Sequence, residues 1–239
     1  MKQISTILSV FAFTFLLFSC KKKDKAPEPS SSANQVNPPT GAYSNFQADY
    51  MFTDIGGILT KDSSVHVSFY TSPPSSSTSI SYVNAGNVVF NGSTLNYSSN
   101  YYSNSSPVAV GGVINWSVSG SGTVTAFSHS YTASHPKYSG GNLLPDTCIK
   151  ANGITINVSG VTNSAQGVSV LLSQGSSIYK SLLTPTGNIT FTSSELAVFN
   201  VNNPITITVS IGNYKTEILG GVSHGFSNNL FYSKIAYLK

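Results

Sequence analysis

The chain's 239 residues include twelve lysines, eight acids and no arginine, for a formal net charge of +4, and charged residues make up only 8% of it. Five of the lysines precede Ala26, and from residue 40 onward seven lysines face six acids, so the body is near neutral. A near-neutral body without the planar guanidinium fork that grips phosphate and base edges argues against nucleic acid as a partner.

Residues Ile4 to Phe18 are apolar except for Ser5, Thr6, Ser9 and Thr14, and Lys2 gives a positive start. A basic opening followed by a short apolar run has the form of a secretory signal peptide. A spanning helix needs about 20 predominantly apolar residues, and this run is shorter. It ends at Leu17-Phe18-Ser19-Cys20, then Lys21-Lys22-Lys23-Asp24-Lys25.

Leu17, Ser19 and Cys20 resemble the lipobox of bacterial lipoproteins, although Phe18 is bulkier than the usual residue there. The resemblance implies that residues 1–19 are removed, that the Cys20 thiol is acylated, and that Cys20 opens the mature chain. Each buried CH₂ contributes about 0.8 kcal/mol, so two or more acyl chains hold firmly where one binds marginally. The four lysines that follow either lie at the headgroups, each adding about 1 kcal/mol against anionic lipid, or only stop the hydrophobic run. The Ser-Cys-Lys-Lys-Lys opening is similar to lipoproteins of the Bacteroidota-type envelope. That implies a lipid-anchored protein of the outer membrane, on its periplasmic face or at the cell surface.

Residues 20–42 form the lipidated cysteine and its tether. Ala26 to Pro39, APEPSSSANQVNPP, has no periodic apolar face and cannot bury a core, so it reads as disordered. As a flexible coil, the 22 residues from Lys21 to Ala42 would span roughly 26 Å.

The body shows period-2 alternation and almost no helical period. Phe46, Ala48, Tyr50 and Phe52 alternate with Gln47, Asp49 and Met51, and Val65, Val67 and Phe69 alternate with His66, Ser68 and Tyr70. Val88–Phe90, Asn91-Gly92 and Thr94–Tyr97 read as a hairpin, because Asn-Gly tolerates the positive φ of a primed turn. Val113–Val118 and Thr123–Phe127, around Gly120-Ser121-Gly122, read as a second. Seven further strands follow a Gly/Ser/Pro-rich stretch, at 153–159, 168–173, 178–183, 188–192, 204–211, 214–219 and 230–238. Thr192-Ser193-Ser194-Glu195 has the capping-box form and predicts a turn or two of helix.

The expected fold is all-β: two consecutive antiparallel β-sandwich, immunoglobulin-like domains over 43–132 and 149–239, joined by a junction at 133–148. This arrangement resembles uncharacterised two-domain β-sandwich lipoproteins of the same envelope type.

Chemistry is sparse. Gly221-Val222-Ser223-His224-Gly225 matches the nucleophile elbow, but the 14 residues after it hold no His, Asp or Glu to complete a triad. His129, His135, Asp146 and Cys148 could ligate zinc, but their spacing fits no familiar motif. Asp49, Asp54 and Asp62 lack the oxygen spacing of a calcium loop. Cys148 reads as a small buried hydrophobe; the other reading is pairing between chains. Tyr101 and Tyr102 lie among Ser and Asn and read as exposed, a candidate ligand-binding pair for a glycan or another envelope protein. Trp116 alternates with Ile114 and Val118 and reads as core. The expectation is a non-catalytic binding or structural module without cofactor or metal. The alternatives are a glycan-binding accessory of an outer-membrane uptake system and, after it, a hydrolase.

Overall fold

A computed structural model describes residues 42–74, 80–104, 108–141, 144–164 and 167–239. The signal segment, Cys20 and the tether as far as Gly41 lie outside the described residues. In chain order the strands are β1 (Ser44–Ile55), β2 (Ile58–Phe69), β3 (Val88–Phe90), β4 (Ser93–Thr94), β5 (Asn96–Ser98), β6 (Tyr101–Asn104), β7 (Val113–Val118), β8 (Phe127–Thr132) and β9 (Lys137–Tyr138). They continue with β10 (Thr147–Cys148), β11 (Ile154–Asn157), β12 (Val161–Thr162), β13 (Val168–Gln174), β14 (Ser176–Leu182), β15 (Asn188–Phe191), β16 (Asn203–Leu219) and β17 (Val222–Leu238). The fold is all-β, a sandwich of mainly antiparallel strands.

One nine-stranded sheet runs β14-β13-β16-β17-β1-β2-β6-β5, with β10 also paired to β17. The smaller sheets are the four-stranded β4-β3-β7-β8 and the pairs β11-β15 and β12-β9. The long sheet takes strands from both sides of residues 133–148. Its first and last long strands, β1 and β17, lie side by side in parallel, with Phe46 beside Phe226 and Asp54 beside Lys234.

Side chains alternate across a strand, so register decides which residues share a face. Phe46, Ala48, Tyr50, Phe52 and Asp54 share the inner face with Phe226, Asn228, Leu230, Tyr232 and Lys234. This face carries two apolar clusters. The first packs Phe46, Val65, Val67 and Phe226 against Phe90, Ile114 and Trp116 of the four-stranded sheet. The second packs Leu172, Val209, Leu230 and Tyr232 against Ile154, Ile156, Ile189 and Phe191 of β11 and β15. Tyr50 touches both. Rings lock the first cluster: Trp116 stands edge-on to Phe46 at 4.8 Å and to Phe90 at 4.7 Å, and Phe46 stacks on Phe226 at 4.8 Å. Each such fully buried side chain contributes about 1.5–3 kcal/mol.

A polar seam separates the clusters. On β17, buried Asn228 sits between Phe226 of one cluster and Leu230 of the other, and its Oδ1 accepts from the Tyr131 hydroxyl at 3.4 Å. Asn213 Nδ2 donates to the Ser134 carbonyl at 2.8 Å, and His135 Nε2 meets the Val110 carbonyl at 2.6 Å. The His135 ring lies 4.5 Å from that of Tyr50. The segment leaving β8 thus crosses the sheet through polar contacts.

Asn91 and Gly92 close the β3–β4 hairpin at φ of 46° and 83°. The expected strands 204–211 and 214–219 are one strand, β16. The gap left between the expected strands 214–219 and 230–238 shrinks to the Gly220-Gly221 turn, at φ of 60° and 85°. Gly212-Asn213 resembles a break, yet both residues pair with β17, opposite Asn229 and Asn228. Beyond Ile211 the inner-facing positions of β16 turn polar, at Asn213, Lys215 and Glu217, because β13 ends there and the strand flanks solvent. The expected helix is a 3-10 turn, Glu195–Val198, held by a reciprocal cap. Thr192 N donates to Glu195 Oε2 at 2.8 Å, and Glu195 N donates to Thr192 Oγ1 at 3.3 Å.

Candidate functional site

Tyr101 and Tyr102 do not form an exposed pair. Neighbours on a strand face opposite ways, and both lie on β6. Tyr101 is half-buried beside His66, ring centroids 6.0 Å apart. Tyr102 is 1% exposed in the first cluster. Its hydroxyl accepts from the Ala85 amide at 2.8 Å and lies 2.9 Å from both Asn84 Oδ1 and the Gly86 carbonyl. Polar neighbours in sequence suggested exposure, but Tyr102 uses its polar tip to tie down the loop at 84–86.

The other sequence candidates are dispersed. Ser223 lies within strand β17, with no strand-to-helix elbow. His224 accepts at Nδ1 from Ser44 Oγ, 2.7 Å away, and donates from Nε2 to the Leu219 carbonyl. Ser44 is fully buried, so this hydroxyl–imidazole pair is closed to solvent. Burial lowers the pKa of His224. His129 packs on Phe226 at 4.5 Å, and burial lowers its pKa too. Cys148 is unpaired and 5% exposed at the end of β10, as read from sequence, and burial pushes its thiol up to about 11. Asp49, Asp54 and Asp62 project from different points of the β1–β2 hairpin. Among the described residues no three His, Cys, Asp or Glu side chains gather as a metal site.

Two surface features are open. The outer face of the four-stranded sheet carries a trough of about 330 Å³, lined by Val89, Gly92, Asn115, Ser117, Ser128 and Ser130. At the sandwich flank, half-buried Phe127, His129 and Tyr131 of β8 face the unpaired edge of β16. Lys215 Nζ lies 4.3 Å over the Tyr131 ring and 3.0 Å from Glu217. The aromatic faces there are already occupied by one another and by the lysine.

The most concentrated chemistry is one that sequence spacing missed. Lys234, 6% exposed, projects from β17 into the inner face between Tyr232 and Ala236 and opposite Ile207 of β16. Its Nζ lies 3.3 Å from Asp54 Oδ2 and 2.7 Å from Asp146 Oδ1. The hydrogen bond that Lys234 donates to Asp146, more than the one it donates to Asp54, raises the lysine's pKa above its ordinary value. Asp54 is 7% exposed, and its Oδ1 accepts from the Gly57 amide at 2.9 Å. Phe52 and Tyr232 stack alongside at 6.1 Å. The three residues are 92 and 88 positions apart in sequence, so only the parallel β1–β17 register and the β10 crossing bring them together.

No family model matches the chain, and no curated protein matches it. Among solved structures, one of a bacterial ice-binding adhesin of 1.5 MDa, described for host cell surface retention, is similar at 15% identity with a TM-score of 0.23. That match covers 85% of this chain and 66% of the other, so the chain spans just under two thirds of that structure's length.

Proposed function

We propose that this chain is an outer-membrane lipoprotein, anchored through acylated Cys20, that works as a non-catalytic binding or structural module held on a short tether. The observation that carries the reading is Leu17-Phe18-Ser19-Cys20 followed by three lysines. The ionisable groups support a scaffold role, because most are engaged within the fold. Lys180 pairs with Glu195, Lys215 with Glu217, Lys234 with two aspartates, and Asp49 with Asn229. Metabolic labelling with palmitate tests the anchor. The full chain should take up label and fractionate with membranes, and Cys20→Ser should lose both properties. An unlabelled, freely secreted product would end the proposal.

A second reading rests on the trough. Asn115, Ser117, Ser128 and Ser130 present amide and hydroxyl groups around Val89, an arrangement that suits a polyhydroxylated ligand such as a glycan. A glycan array comparing the protein with Asn115→Ala tests this; equal signals from both would remove the trough from consideration.

A further inference from the structure

We infer that Lys234 and Asp54 condense into a side-chain amide that joins β1 to β17 covalently, with Asp146 carrying the protons. The inference rests on the placement of four groups and is independent of the lipid anchor.

The first group is the nucleophile. Lys234 is buried, with Ile207 opposite it on β16, and the parallel register holds it directly beside Asp54. The second is the electrophile. Asp54 Oδ2, the oxygen that leaves, lies 3.3 Å from Nζ, which sets the amine beside the carboxyl group, while Oδ1 accepts from the Gly57 amide. That N–H is the third group. It is fixed by the two-residue turn after β1 and aimed at the oxygen on which charge develops when Cγ is attacked. The fourth is Asp146. Its carboxylate touches Nζ at 2.7 Å, and its side chain is 84% exposed, so it can exchange protons with solvent.

The step balances without any added reagent. Lys234 starts as an ammonium with three protons and Asp54 as a carboxylate. Asp146 takes one proton from Nζ, an uphill transfer because the same contact holds the lysine's pKa above its ordinary value, and the freed lone pair attacks Asp54 Cγ. The electron pair moves to Oδ1, where the Gly57 N–H stabilises it. Asp146 hands its proton to Oδ2 and then relays a second proton from Nζ to the same oxygen. The Cγ–Oδ2 bond breaks, water leaves, and the electron pair on Oδ1 returns to form the amide carbonyl. One proton stays on Nζ, and Asp146 ends as a carboxylate.

In open water an amine and a carboxylate do not condense spontaneously. Two conditions alter this here. Oriented neighbours react with effective molarities on the order of 10⁵ M and above. Lys234 and Asp54 are also 6% and 7% exposed, which limits the water that reaches the bond from any side but that of Asp146. Asp54 rather than Asp146 is the acceptor, because Asp54 is buried, registered beside Lys234 and held by an amide donor. Asp146 is solvated, and among the described residues no amide donates to its carboxylate.

Peptide mapping of the full chain tests the bond. Trypsin would skip Lys234, and the peptide Thr216–Lys239 would appear joined to Ala26–Lys61, one water lighter than their sum. Asp146→Ala should reduce the joined species about 100-fold or more, as expected for loss of a positioned proton carrier, with the β-sheet circular dichroism unchanged. Lys234→Arg should abolish it. Separate peptides with Lys234 cleaved in the folded wild-type protein would overturn the proposal. So would a join to Tyr138–Lys150, which carries Asp146. The wild-type map decides even if a variant fails to fold.

Discussion

Asp49 and Asn229 sit side by side on the outer face of the parallel β1–β17 pair, Asn229 Nδ2 donating to Asp49 Oδ1 at 2.8 Å. Among the described residues no cation pairs with them: Asp49's partner on β2 is Ser64, flanked by His66 opposite Gln47 and Asp62 opposite Met51. Burial, only partly offset by the Asn229 bonds, pushes the Asp49 carboxyl up to about 7. The folded protein therefore holds this proton over a range where the unfolded chain, at the ordinary 3.8, has released it. Native protein binds more protons between those values, so stability falls as pH rises through that window. Asp49→Asn should leave stability near pH 4 almost unchanged and raise it by pH 8, by on the order of 4 kcal/mol at most. Urea melts of both proteins at pH 4.5 and 8 measure the difference; a gap independent of pH would contradict the assignment.

Continuity of the long sheet predicts coupling between the two apolar clusters. Trp116 is the only tryptophan and belongs to the first cluster. Leu172, fully buried on β13, belongs to the second. Leu172→Ala should cost about 2–5 kcal/mol and shift the Trp116 fluorescence transition with the circular dichroism transition. Phe226→Ala, which removes the stacked partner of Phe46, should cost about 3–5 kcal/mol and shift both signals equally. A Trp116 transition that ignores Leu172→Ala would mean that the polar seam at Asn228 lets the halves unfold separately.

Much of this fold was legible in the sequence, because period-2 alternation reports burial directly. Phe46/Ala48, Val65/Val67/Phe69 and Ile114/Trp116/Val118 all face inward as their spacing implied. Asn91-Gly92 and the Thr192–Glu195 box also behaved as local chemistry dictates. What stayed hidden was non-local. Nothing in the spacing of β1 and β17 shows that they pair in parallel, so neither the shared sheet nor the meeting of Lys234 with Asp54 and Asp146 could be read. Gly212 and Asn213 misled because turn-forming residues also occur inside a long strand whose partner runs on. Tyr102 misled because its neighbours in sequence are not its neighbours in space.

The Tyr101–Tyr102 pair gives a test of that last point. Tyr102→Phe keeps the ring packing against Phe69, which is edge-on at 5.9 Å, and removes only the hydroxyl. The Ala85 amide then loses its acceptor in a buried site. The expected cost is about 1–3 kcal/mol, against about 0.5 kcal/mol or less for Tyr101→Phe. Comparable losses in the two variants would show that the loop at 84–86 does not depend on the buried hydroxyl.

Cys148 offers a probe of the terminal strand. It lies at the end of β10, beside Leu238 of β17, with Lys239 N donating to its carbonyl at 2.8 Å. With the thiol pushed up to about 11 by burial, thiolate at pH 8 is about one part in a thousand, far below an ordinary cysteine. In Cys20→Ser protein, where Cys148 is the single thiol, a disulfide reagent should therefore react only through opening of the chain end. Its rate should be at least about 100-fold below that in denaturant, and destabilising Leu172→Ala should raise it. A native rate close to the denatured one would place Cys148 at an accessible surface and reopen pairing between chains.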